Sequence, residues 1–228
     1  ALKGIVKEFL LDKALDAANE HRIMLLAYTN RAVDEICSML LELQQEEASC
    51  DFIRFGKKQT CDALFRTYLL EEKAATCTDR NGIMELLHRI PIFVGTVSTM
   101  SAYRDLYEKI DFDMAVIDEA SQLIEPQLIG LLSATNAGKS AFRKFILIGD
   151  HKQLPAVVLQ QPTETEVKTA ALKEIGFTDL GNSLFERLWV LQKKTGKSDC
   201  MAMLHVQGRM HTDIAAFVSR TFYSDSLN

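Results

Sequence analysis

The sequence lacks the features that would take it out of a reducing, aqueous compartment. No apolar run is long enough to span a bilayer. The opening ALKGIVKEFLLDKAL is amphipathic rather than continuously apolar, so no secretory leader is expected there. The five cysteines, Cys37, Cys50, Cys61, Cys77 and Cys200, form no CxxC pair. An odd, scattered set argues against a disulfide frame or a zinc site and points to reduced thiols in a cytoplasmic protein. Excess positive charge is missing too: 26 Lys and Arg stand against 31 Asp and Glu, a net charge of −5, with a pI near 5.6. That excludes binding of nucleic acid through bulk charge, but not a protein that grips a backbone through a few loops. No membrane partner is expected, and no protein partner can be read.

A further absence concerns chemistry. No GxxxxGK[ST] phosphate loop is present. Two near matches, AGKS at 137–140 and TGKS at 195–198, have Ser133 and Leu191 where the upstream glycine belongs. Neither leads directly from a strand into a helix, so neither is read as a phosphate cradle.

What is there is ordinary in bulk and specific in detail. Hydrophobic residues make up 47% and charged residues 25% of 228 positions, which suits one large globular domain or one domain with part of another. Five apolar runs read as buried strands: IMLLAY (23–28), IFVGTV (92–97), MAVID (114–118), KFILIGD (144–150) and MAMLHV (201–206). They are continuous rather than alternating, as strands covered on both faces are. Between them lie helical patterns. Residues 31–43 place Val33, Ile36, Leu40 and Leu43 on one face, residues 183–191 read SLFERLWVL, and residues 211–222 group Ile214, Phe217, Val218 and Phe222. This alternation predicts a parallel, doubly wound α/β sheet. Residues 50–90 break the rhythm and read as a mainly helical insertion in which only DFIRF could be a strand. Residues 156–182 read as a long, partly flexible connection broken at Pro162, Gly176 and Gly181.

Each of the first four runs ends in a polar cluster: Thr29-Asn30, Thr96 through Ser98, Asp118-Glu119, and Asp150 through Gln153. The fifth runs into Gln207 and Arg209. Ligands of open α/β sheets bind beyond the carboxyl ends of the strands, so these clusters are expected on one rim. Two acids side by side repel, and a metal is one reason to keep them: Asp118 to hold Mg2+ and Glu119 to polarise an attacking water. A solvated strand end with a helix cap is the other reading of Asp118-Glu119. In GDHKQLP, Gly149 permits a tight turn, Pro155 stiffens the exit, and Gln153 can reach a phosphate oxygen or the attacking water; an ordinary loop remains the alternative. Arg209, in QGRMH, could stabilise charge on a terminal phosphate, or be a surface arginine in a first helical turn. His151, His205 and His211 are assigned no role.

Taken in order, AYTNRAVDEI (27–36), GTVSTM (95–100), VIDEASQ (116–122), GDHKQLP (149–155), SLFERL (183–188) and QGRMH (207–211) resemble successive motifs of superfamily-1 helicases, group B. The resemblance implies a RecA-like P-loop NTPase core, an α/β fold with a parallel sheet flanked by helices and a mainly helical insertion at about 50–90. It implies a first RecA-like domain over 1–200, without its N-terminal strand and phosphate loop, and the start of a second over 201–228. The opening helix would continue the one that follows the true loop, so the chain is expected to begin just after it and to be inactive by itself. ATP and Mg2+ are the implied cofactors, and single-stranded nucleic acid, DNA in preference to RNA, the implied partner. Carried over by motif, Asp118 would coordinate Mg2+, Glu119 would be the catalytic base, Gln153 would couple the terminal phosphate to strand movement, and Arg209 would be the arginine finger. All four would contact the bound nucleotide, while Thr29, Asn30 and Thr96 would contact strand phosphates. One departure is Gly208, which stands where the wider family has a tyrosine. A non-unwinding nucleic-acid-dependent ATPase and an inactive helicase-like scaffold are the alternatives.

Overall fold

A computed structural model describes residues 1–16, 20–46, 50–196, 199–208 and 210–227. The strands are β1 (Ile23–Ala27), β2 (Phe52–Arg54), β3 (Ile92–Thr96), β4 (Phe112–Ile117), β5 (Thr135–Asn136), β6 (Lys139–Ser140) and β7 (Phe142–Leu147). Five of them form one sheet in the order β2-β3-β1-β4-β7, every neighbouring pair parallel. The expected parallel α/β sheet is therefore present, and four of the five expected strands are in it.

The reason the runs are continuous is visible in the two cores. Along β1, Met24 and Leu26 face one apolar cluster while Ile23, Leu25 and Ala27 face the other. The second cluster is closed by Val6, Phe9 and Leu10 of the helix Leu2–Leu15 and by Val33, Ile36, Leu40 and Leu43 of the helix Asn30–Glu46. Those four are the stripe read from the sequence. Opposite, Leu86 and Leu87, Val97 and Met100, and Leu128 and Leu131 cover β3, β1 and β4. Alternate strand positions must both be apolar when both faces are covered, at about 1.5–3 kcal/mol for each fully buried large side chain.

Register sets the rim. Ala27 pairs with Thr96, Leu26 with Ile117, and Ile117 with Leu147. The carboxyl ends of β3, β1, β4 and β7 are therefore level, and the polar residues that follow each strand emerge side by side.

Several expectations need correcting. MAMLHV (201–206) forms no strand and pairs with no other segment among the described residues; Val206 is 83% exposed. An apolar run becomes a strand only where a neighbour accepts its N–H and C=O groups, and none lies alongside. The helix Thr212–Phe222 forms as read, but Phe217 is 66% exposed, and the face buried is that of Ala215 and Ser219. The 50–90 segment is mainly helical as expected, and DFIRF, the run read as a possible strand, holds β2, an edge strand of the main sheet. Within 156–182 lie two short helices, Pro162–Thr165 and Ala170–Glu174, and backbone bonds from Val167 N to Thr178 O and from Leu180 N to Thr165 O tie the stretch together. AGKS belongs to a tight two-strand hairpin of β5 and β6 with Ala137 and Gly138 both at positive φ, unlike a phosphate loop.

The edge strand β2 is fastened by a charge. Arg54 is fully buried, and its Nε donates to Asp34 Oδ1 at 2.9 Å. Its Nη2 reaches Asn30 Oδ1 and the Thr60 carbonyl at 3.4 and 3.3 Å. Asp34 Oδ2 in turn accepts from Asp62 N at 3.1 Å, so one ion pair joins the helix Asn30–Glu46, β2 and the loop beyond it. Removing one partner of such a pair leaves the other charge uncompensated. Arg54→Ala should lower the stability of this domain by on the order of 3 kcal/mol in urea unfolding; a loss well under 1 kcal/mol would mean that the pair does not hold the edge.

Candidate nucleotide site at the strand ends

The β4 strand ends at Ile117, and the chain turns sharply. Asp118 N still donates to Leu26 O at 2.8 Å, so Asp118 is held at the level of the last rung. Glu119 then adopts φ 53, ψ 38, a left-handed conformation rare for a residue with a Cβ and often found where function requires it. Its N–H donates to Asp118 Oδ1 at 3.1 Å, and its Oε2 accepts from Gln122 Nε2 at 3.2 Å. The two adjacent carboxylates thus have separate anchors.

The β7 end is latched to this turn. Ala120 N donates to Ile148 O at 2.8 Å, and Asp150 N donates to Ser121 Oγ at 3.2 Å. A Cβ on Gly149 would stand 2.9 Å from Ser121 N and 3.4 Å from Ala120 N. Glycine is required here for close backbone approach, a stronger reason than the tight turn read from the sequence.

Asp150 is the hub of the second loop. Its Oδ1 accepts from Lys152 N at 2.9 Å, and its Oδ2 accepts from Gln153 Nε2 at 2.9 Å and from the Tyr223 hydroxyl. Burial works to raise the Asp150 carboxyl, but the hydrogen bonds, led by Tyr223, outweigh it and hold the pKa below its ordinary value. Burial and the bond to Asp150 push the Tyr223 hydroxyl up to about 12. Burial and the neighbouring Lys152 lower the His151 pKa; the His151 ring packs 5.0 Å from Trp189.

The expected strand contacts have mixed positions. Thr29 is exposed, and its Oγ1 accepts from Ala32 N at 3.2 Å. Asn30 Oδ1 takes the Arg54 bond already described. Thr96 is only 5% exposed, and its hydroxyl caps the next helix, accepting from Thr99 N at 3.1 Å and donating to Thr99 Oγ1 at 2.8 Å. Exposed Ser98 follows on the turn that Thr96 holds. Arg209 lies outside the described residues. A Cβ at Gly208 would meet nothing within 4 Å, so packing does not demand glycine there.

Three residues of this geometry had been given no role. Ser121 and Gln122 lie inside VIDEASQ, but their polar character alone did not assign them. Tyr223 is 73 positions from Asp150, and no local pattern announces the contact.

The donor set suits a hard cation that keeps most of its own waters: carboxylate oxygens, with no cluster of three or more His, Cys, Asp or Glu side chains among the described residues. The parallel sheet and its flanking helices are those of a RecA-like α/β core. Two family models, each described as an AAA domain, match the chain over residues 70–161 and 180–228. The DNA replication ATP-dependent helicase/nuclease of Xenopus laevis is 29% identical over 207 residues, covering 90% of this chain and 17% of that protein. The probable helicase MAGATAMA 3 of Arabidopsis thaliana is 29% identical over 238 residues, covering 96% of this chain and 26% of the relative. The DNA polymerase alpha-associated DNA helicase A of Saccharomyces cerevisiae is 30% identical over 223 residues, covering 94% and 29%. These similarities support a superfamily-1 helicase fragment, and the chain spans less than a third of each of these relatives.

The linked pair Asp150 and Tyr223 has a definite pH signature. A depressed Asp150 contributes stability above its ordinary 3.8 and loses it as pH falls through the lower folded value. A raised Tyr223 contributes stability below its ordinary 10 and loses it as pH rises through about 12. Tyr223→Phe should raise the Asp150 pKa toward 3.8, followed by NMR titration of the carboxyl carbon. An unmoved Asp150 titration would show that the contact is not made in solution.

Proposed function

We propose that this chain is a fragment of an ATP-dependent helicase or translocase that, in the intact protein, couples ATP hydrolysis to movement along single-stranded nucleic acid, DNA in preference to RNA. The observation that carries the reading is the latch between the β4 and β7 ends. It holds Asp118-Glu119 and Asp150–Gln153 as one unit at the sheet rim. Two unrelated strand ends would have no need to meet without room for a single methyl group. The DNA preference is supported by the DNA-directed names of two relatives.

Asp118 would hold Mg2+ beside the phosphates of ATP. The ion supplies positive charge for the phosphate oxygens. Glu119, turned by its left-handed backbone and steadied by Gln122, orients the attacking water and takes its proton. Gln153 is exposed at the rim, and its amide can leave Asp150 for the terminal phosphate or the water. Arg209 is proposed as the finger that meets charge developing on the transferred phosphoryl group. Thr29 and Asn30 contact strand phosphates, and Thr96 acts through the turn it caps. Hydroxyl and amide donors hold a backbone without excess positive charge, in keeping with the net charge of −5. Among the described residues no helix is long and apolar enough to cross a membrane. The odd, scattered set of cysteines supports a reducing compartment, which we propose is the cytoplasm.

In the intact protein, single-stranded DNA should stimulate ATP hydrolysis strongly and matched RNA less. Absence of hydrolysis with either polymer would overturn the reading. Glu119→Gln should abolish turnover while leaving ATP binding largely intact, and near-normal turnover would remove Glu119 as the base. Gly149→Ala forces the latch apart without touching a reacting group; turnover should fall roughly tenfold to a hundredfold, the penalty for misplacement by about an ångström. Unchanged kinetics would mean that the latch does not position the acids.

A further inference from the structure

The sheet rim does not stop at Asn30. Beyond the end of β2 the chain forms an open cavity of about 440 Å³ lined by Gly56, Lys57, Lys58, Leu70, Glu71 and Tyr103, among others. Its volume falls in the range of small-ligand pockets, roughly 300–1,000 Å³. We propose that this cavity seats one nucleotide of the bound single strand, with the backbone phosphate on Lys57 and Lys58 and the base against Tyr103. The proposal rests on the nucleic-acid reading above and adds to it a subsite.

Four observations support it. First, the cavity adjoins a candidate strand contact: a Cβ on Gly56 would lie 3.9 Å from Asn30 Oδ1. Second, Gly56 has φ 150, and the same Cβ would stand 2.6 Å from Arg54 Nη1. The wall is therefore bare backbone that a phosphate can approach closely. Arg54 is fully buried, and its Nη1 has no hydrogen-bond partner, so a cationic N–H lies unused directly behind that wall. Third, Lys57 is exposed and makes no ion pair among the described residues, whereas Lys58 is partly neutralised by Glu72 at 2.8 Å. Fourth, Tyr103 is 39% exposed, and its ring is braced edge-on by Phe55, with centroids 5.1 Å apart at 80°. A braced aromatic ring beside exposed lysines, of which Lys57 makes no ion pair among the described residues, is the arrangement that binds single strands without reading sequence. Glu71 repels a phosphate but can accept from an exocyclic amine of a base, which leaves the backbone to the lysines.

The test uses the intact protein and a fluorescein-labelled oligo(dT), with anisotropy read across a series of salt concentrations. Lys57→Ala should weaken binding several-fold and reduce the slope of log K against log salt by about 0.7, the value of one single-strand phosphate contact. Tyr103→Ala should weaken binding about fivefold or more with the slope unchanged, as loss of one stacked base does. Tyr103→Phe should restore it. Both substituted side chains are exposed, so the unfolding midpoint should stay in place and a folding defect would be seen separately. Wild-type affinity and slope in Lys57→Ala and Tyr103→Ala would overturn the subsite while leaving the nucleic-acid reading standing. Failure of the wild-type protein to bind oligo(dT) would overturn both. Displacement of the oligonucleotide by a small excess of thymidine monophosphate would assign the cavity to a free nucleotide and overturn it as well.

Discussion

The proposed nucleotide site depends on two backbones meeting with no side chain between them. Beyond the last rung of β4 and β7, Ala120 and Ser121 of one turn lie against Gly149 of the other, closer than a methyl group allows. Hydrogen bonds from Ala120 N to Ile148 O and from Asp150 N to Ser121 Oγ close the contact from both sides. The latch is local, but it converts two strand ends into one site. Without it, Asp118-Glu119 and Gln153 would be polar residues on separate mobile loops. With it, the left-handed Glu119 is braced by neighbours that leave it little choice, which is how a sparsely populated backbone conformation persists.

The sheet supplies the frame on which such a latch is meaningful. Parallel pairing with level registers brings four carboxyl ends to one rim. Two apolar cores, one on each face, keep the strands from sliding, because a shift would set β-carbons against the wrong helices. The buried Arg54–Asp34 pair extends that frame to the edge strand β2. The same guanidinium touches Asn30 and backs Gly56, so the proposed strand contacts and the proposed nucleotide subsite share one rigid support. The proposed nucleotide site and the proposed strand contacts thus lie on a single sheet.

Asp150 is where that transmission could be sensed. One of its carboxylate oxygens receives both Gln153 and Tyr223, a residue near the far end of the chain. A carboxylate has enough lone pairs to accept both, yet each donor stands in a second setting: Gln153 in the proposed phosphate contact, Tyr223 at the end of its helix. The C-terminal segment therefore touches the rim through Asp150, and displacement of either donor changes what the other experiences.

Much of this was legible from residue order alone. The continuous runs at 23–28, 92–97, 114–118 and 144–150 announced strands covered on both faces, and Val33, Ile36, Leu40 and Leu43 announced the helix that covers one of them, because burial on a regular element imposes a period that the residues themselves display. The acids after β4 and the GDHKQ turn after β7 declared themselves by interrupting apolar runs, and their order against neighbouring motifs pointed to the family. Other features had no such signal. Whether MAMLHV pairs depends on a neighbour being there. DFIRF was readable as a possible strand, but its place at the sheet edge depends on the open side of β3. Thr96 caps the next helix, Ser121 forms the latch, and Tyr223 reaches across 73 positions to Asp150. Period and composition are properties of a segment and survive in the sequence. Contact between segments is a property of where the whole chain places them, and only the tertiary structure decides it.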